Sequence, residues 1–464
     1  MKLLINCLVI ASVATCLASP NKTYLGIYMQ GHKIGYASYA MSKAVLEGHS
    51  ADRSETKTVM DSGLLGTPMH IEIDSTTYTN SAQKPVEMIF EMESQGRRQD
   101  VTAHFQAKQV LLQVNNSGTV SNHTLEIPPG EVVDDPISLI LKGRSSGSCY
   151  VLDPSTVSFV LNKFNVVGKK KATVRGRRVT ETIVDITDPR ENTRVYLSPS
   201  GDILRAEGFM GIVMLPVSKA VALANPGKYT PTVDLAYSNS IVPSGHLENP
   251  AGTAELKLKL VGRDMSSAPS DEVQTVTKAG NGWLIDIHPA RLESGLTIAE
   301  AAAQKPEWVK PDLYMPSTDP NFVNLARKIV GEQTSAVPAA MALKRWVYDQ
   351  MKPNASIGVL RDATEVLKTK EGVCRDYAIL TGTLLRSAGI PTRLASGLVN
   401  WDGTFYYHAW DEIWDGKHWI GIDSTTPDEQ ISAAHVKLAD GTVAHAFTFA
   451  VLDKVKIGVV SSHE

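Results

Sequence analysis

Cys374 in EGVCRDYA, His408 in FYYHAWDEIW and Asp423 in WIGIDSTTP are the three side chains of this sequence whose types could do covalent chemistry together. They supply a nucleophile, a base and an orienter, the parts of acyl transfer through an enzyme-bound intermediate. A Cys374 thiolate would attack a carboxamide carbon and give a thioester, and His408 would protonate the departing amine. The same imidazole would then activate the second acceptor. Asp423 would hold the ring in one tautomer and stabilise its cation. The backbone N–H of Cys374 is a candidate oxyanion donor.

Two local elements must bring these groups together. After Gly372, the apolar residues Ala378, Leu380, Leu384, Leu385 and Ala388 recur at helical spacing until Gly389-Ile390-Pro391. Cys374 thus falls in the first turn of a buried helix, where unpaired N–H groups and the positive end of the dipole favour thiolate. Arg375 adds a positive neighbour. Downstream, Phe405 to Trp414 alternates as a strand with Tyr406, His408, Trp410 and Glu412 on one face, and Trp419 to Asp423 reads as a second strand. Asp415-Gly416 signals a two-residue type I′ turn. That turn pairs Trp414 with Lys417 and sets His408 directly opposite Asp423, with Cβ atoms about 4.5–5.5 Å apart.

Taken together, GVCRDYA, LLRSAGIPTR, HAWDEIW and WIGIDSTTP resemble the core of the transglutaminase-like superfamily, relatives of the papain-like cysteine peptidases. The resemblance covers about residues 320–428. It implies an α+β catalytic domain, a triad of Cys374, His408 and Asp423, and structural roles for Trp410 and Trp419. Asp423-Ser424-Thr425 departs from the Asp-Pro-Thr of many relatives, which alters a turn and leaves the carboxylate intact. The activity implied is cleavage or exchange of amide bonds in peptides or proteins, with hydrolysis favoured. True transamidation is one alternative; a noncatalytic binding or scaffolding protein of the cell envelope is another.

Around this core the 464-residue chain has room for two or three domains. Its net charge of −3 gives no sign of a nucleic-acid partner. MKLLINCLVIASVATCLASP reads as a signal peptide over residues 1–19, cut after Ala18 or Ser19, and hence as export to the periplasm or beyond. Lipoprotein processing at Cys16 is the rival, with Thr15 a poor fit before the cysteine. No later stretch is long enough to span a membrane. Loss of the leader leaves Cys149, read in a Gly/Ser-rich loop, and Cys374, both expected as free thiols.

Residues 20–228 read as a β-rich domain, a curved sheet or open barrel, with a single strand expected over Val101–Val114. Lys169, Lys170, Lys171, Arg175, Arg177 and Arg178 are best read as a solvated hairpin turning at Arg175-Gly176. Residues 229–252 are rich in Pro, Gly, Ser and Asn and read as a linker. The catalytic domain then spans 253–455. AELKLKLVG, EVQTVTK and GWLIDIH open it as a small sheet. One helix follows from Asp319-Pro320 to Gly331, burying Val323, Ala326 and Val330. Another spans Val337 to Met351 with Leu343, Trp346 and Val347 inward, and a short one begins at Asp362. Beyond Pro427 a strand is expected through Ala444–Val451, and then fraying. A metal set of Cys374, His408, His418 and Asp423 is set aside because the hairpin register turns His418, opposite Ile413, away from His408. No cofactor motif appears.

Overall fold

A computed structural model describes residues 22–464 except 30, 65–66, 95, 131–132, 175, 189–191, 209–210, 225–239, 293–294, 356–359 and 447–454. The leader therefore lies outside the described residues. The chain forms two compact units, the described residues up to 224 in one and those from 240 onward in the other.

The N-terminal unit holds one antiparallel sheet of fourteen strands. Two meanders are joined where the first strand, Thr23–Met29, pairs with the last, Ile212–Val217. Apolar residues alternate along it, as in Val110, Leu112 and Val114, so one face of the sheet is buried. The stretch expected as one strand over Val101–Val114 is a hairpin instead. Arg97–Phe105 and Gln109–Asn116 pair through Phe105 and Val110, with the Gln106 N–H donating to the Gln109 carbonyl. The basic segment is the expected hairpin, Ser158–Val174 with Arg177–Thr187, in which Thr173 faces Arg178. Cys149 lies in the strand Ser146–Asp153, fully buried, and not in a loop. The small residues there make room for Phe164, since a Cβ on Gly147 would sit 3.2 Å from its ring.

In the C-terminal unit, elements are numbered along the chain from here on. Strands β1 (Glu255–Val261), β2 (Gln274–Ala279) and β3 (Gly282–Ile287) form the expected small sheet, but a fourth strand, β8 (Lys456–His463), completes it in the order β2-β3-β1-β8. The end expected to fray is therefore paired, with Leu258 facing Val459 and Leu260 facing Ile457. Of the segment expected as linker, the described part folds onto this unit: Ile241 bridges Phe405, and Leu247 is buried.

Helices α1 (Pro320–Val330), α2 (Ala336–Gln350), α3 (Ala363–Thr369) and α4 (Cys374–Ser387) come next. Asp319 and Asp362 cap α1 and α3 through their side chains. On α1 the buried positions are Phe322, Ala326 and Val330, with Val323 only half-buried; on α2 Trp346 is half-buried and Lys344 takes an inward place. Strands β4 (Thr392–Trp401), β5 (Thr404–Trp414), β6 (Trp419–Ile422) and β7 (His435–Gly441) form an antiparallel sheet in the order β6-β5-β4-β7. Of the strand expected over Ala444–Val451, Ala444 to Ala446 belong to a short helical turn, Val443–Ala446, and the remainder lies outside the described residues. Helix α4 packs on β5 over a core that includes Leu380, Leu384, Ala409 and Ile413.

Candidate active site

Cys374 is the first residue of α4, and the elements before it explain why. Gly372 precedes it in extended backbone, and a Cβ there would meet the Asp376 Cβ at 2.4 Å, so only glycine admits this approach. Asp376, in the first turn, accepts the Val373 N–H at 3.0 Å. Its other oxygen takes the Arg361 Nε–H at 3.1 Å, and both side chains are fully buried. Arg361 also donates to Thr369 and to the Glu371 carbonyl. A guanidinium thus ties the end of α3 to the mouth of α4 and fixes where the thiol emerges. Arg361 and Asp376 went unassigned in the sequence; the only trace of Asp376 was an acid three residues after Val373, the residue that caps the helix.

The imidazole and carboxylate meet as expected, but by a different register. β5 and β6 pair Trp414 with Trp419 and Asp411 with Ile422, so the connection is four residues long. The Asp415 carboxylate accepts the N–H groups of Lys417 and His418, each at 2.7 Å, which closes the longer loop. The ribbon is therefore two residues out of step with a type I′ turn. A shift of two conserves the face, and Asp423, just past the end of β6, still reaches His408: Nε2 to Oδ2 is 2.7 Å. His418 is in the loop, Ile413 faces Ile420 instead, and His418 stands 3.6 Å from Asp415.

Asp423 is anchored on its other oxygen by the N–H and hydroxyl of Thr425, both at 2.8 Å. Ser424 exchanges a hydroxyl hydrogen bond of 2.7 Å with Thr381 of α4, so the residue that departs from Asp-Pro-Thr tethers the carboxylate segment to the thiol helix. The buried Lys344 ammonium donates to the carbonyls of Thr426 and Asp428 just beyond.

Burial opposes charge on His408, yet the Asp423 carboxylate outweighs it, and hydrogen bonding and charge from Cys374 add to the effect; the imidazole is pushed up to about 10. Burial likewise works against the Asp423 carboxylate, but His408 and then His435 hold it well below the usual range. Because Nε2 faces Asp423, Nδ1 is the nitrogen left for Cys374. Asp411 is the contrasting carboxyl: deeply buried, it is pushed well above the ordinary value despite Arg386.

His435, on β7, also joins this site. Its Nε2 is 3.6 Å from Asp423 Oδ2, and its ring stands edge-on to His408 at 5.9 Å and to Trp410 at 5.4 Å. Trp410 stacks on His408 at 6.3 Å. His435 lies between Pro427 and the strand expected over Ala444–Val451, in a stretch to which the sequence assigned no partner, which is why it went unmarked.

Residues 323–424 match the family model of the transglutaminase-like superfamily, and the C-terminal unit carries a transglutaminase-like domain. The chain is 29% identical over 145 residues to an uncharacterized protein of Mycobacterium leprae (strain TN), a match covering 29% of this chain and 50% of that protein. It thus spans about half the length of the curated relative it matches. Among solved structures, a provisionally named cysteine protease from Cytophaga hutchinsonii is similar at 20% identity and a TM-score of 0.33, over 48% of this chain and 84% of that one. A beta-barrel-like protein of a domain of unknown function from Brucella abortus is similar at 12% identity and a TM-score of 0.34, over 42% and 96%.

Proposed function

We propose that the C-terminal unit is a thiol enzyme that cleaves amide bonds of peptides or proteins through Cys374, His408 and Asp423. The observation that carries this reading is the 2.7 Å bond from His408 to a buried carboxylate that Thr425 anchors twice, on an imidazole that also interacts with a thiol at a helix N-terminus. The Cys374 sulfur bonds to the amide carbon, and the C–N electrons leave with the amine, which takes the His408 proton. Water then adds to the thioester carbon, gives its proton to His408, and the acid departs as the sulfur is released. Hydrolysis is preferred to transamidation because water is the abundant acceptor. The chain is proposed to act after export, on the strength of the leader at residues 1–19.

Peptide-amide hydrolysis, followed by amine release, tests the reading with Cys374→Ala and His408→Ala. Each variant should lose activity while its circular dichroism is unchanged, and full activity in either sinks the assignment. A fluorescent amine added to the same assay should stay largely unincorporated; efficient incorporation into a glutamine-containing protein would make the enzyme a transamidase.

A further inference from the structure

His435 presents a chemical mismatch at the heart of the site. Its Nδ1–H donates to the Ser432 carbonyl at 3.2 Å, which aims Nε2 inward. The side chain is only 8% exposed, and that Nε2 makes no hydrogen bond among the described residues. What it faces, at 3.6 Å, is Asp423 Oδ2. A ring nitrogen and a carboxylate oxygen turned toward one another at this spacing can both ligate one cation. A backbone carbonyl on the outer nitrogen is also the arrangement that orients metal-binding imidazoles.

A third ligand atom is at hand. The ligating atoms of His408, Asp423 and His435 all lie within 4.8 Å of one another. Bonds of about 2.0–2.2 Å to zinc put tetrahedral ligands roughly 3.3 Å apart. The Asp423–His435 separation is near that already, and the His408–Asp423 contact of 2.7 Å would have to open by about 0.6 Å. Two imidazoles and one carboxylate suit a borderline-soft ion over calcium or magnesium. A cleft bordered by Gln274, Ile287, Trp410, Ser432 and Lys437 reaches His435.

We propose that Asp423, His408 and His435 form an inhibitory site for a divalent transition metal of the zinc type. Binding releases the Nε2 proton of His408 to solvent and replaces it with the metal. The ring then keeps its hydrogen on Nδ1, toward Cys374, and has no nitrogen left to accept a proton. The inhibition rests on the thiol-enzyme reading; the binding does not.

Zinc chloride titrated calorimetrically into the full chain tests the site without any activity. Wild type and Cys374→Ser should each bind one equivalent, and His435→Gln should bind on the order of tenfold more weakly or worse. Equal affinity in His435→Gln overturns the proposal, and so does loss of binding in Cys374→Ser, which would make the thiol the ligand. A readout that needs no variant is cobalt(II) bound to wild type: d–d absorption without a thiolate charge-transfer band is expected, and a charge-transfer band contradicts it. Zinc should inhibit peptide-amide hydrolysis by wild type. If the protein binds zinc through His435 but hydrolyses nothing, the functional reading has failed and the metal site stands.

Discussion

Asp423 works at the residue scale by staying ionised inside the protein, which its anchors at Thr425 and its neighbour His408 allow. Asp423→Asn should lower the turnover rate on the order of 10³–10⁴-fold with little change in KM, because the amide favours the wrong tautomer of His408. The pH dependence carries a definite sign. His408 is raised to about 10, so its cation persists until the pH climbs through that value, and activity should fall there. In Asp423→Asn the alkaline limb should move to lower pH; an unmoved limb would mean that another group titrates. The same shifts govern stability. The contribution of His408 is complete below about 6.5 and lost as pH rises through about 10, whereas that of Asp423 is complete above about 3.9 and lost as pH falls through its lowered value. The melting advantage of wild type over His408→Gln should therefore shrink between about pH 7 and 10. All three triad candidates could be read from residue type and flanking pattern. His435 could not, because only the fold of β7 back beside β4 brings it within reach of Asp423.

At the scale of elements, the thiol is presented by a joint and not by a helix alone. Gly372 and the buried Arg361–Asp376 pair fix the mouth of α4. Arg361→Met leaves the Asp376 carboxylate buried without its partner and should cost about 3–5 kcal/mol in urea unfolding. Gly372→Ala should cost about 1–3 kcal/mol, as overpacking does, and slow alkylation of Cys374 by displacing the start of the helix. A variant as stable as wild type would show the joint to be slack. The helix itself was legible, since its apolar spacing and its glycine stop are local. The hairpin was legible only to parity. Asp415-Gly416 pointed to a two-residue turn, but the Asp415 carboxylate binds two N–H groups farther along and holds a four-residue loop. Side-chain alternation forgives an error of two, so His408 and Asp423 remained partners.

For the whole molecule, long-range pairing decided what the sequence could not convey. β8 pairs with β1 across nearly the full C-terminal unit, burying Leu256, Leu258 and Leu260, and no local signal announces a partner so distant. In the N-terminal unit, small residues beside Phe164 read as loop although they form a strand, and so Cys149 was misplaced. That strand buries Cys149 completely, and both cysteines of the described chain are free. Thiol counting on unreduced protein lacking residues 1–19 should thus find one group reacting in the native state and a second only in denaturant. No thiol in denaturant would mean that the two are bonded.

The coupling of Cys374 to His408 is tested most directly by the rate of iodoacetamide alkylation at Cys374 at neutral pH, in wild type and in His408→Ala. Imidazolium beside the sulfur should make wild type react at least about tenfold faster, in keeping with paired catalytic cysteines. Equal rates in the two proteins would contradict the account.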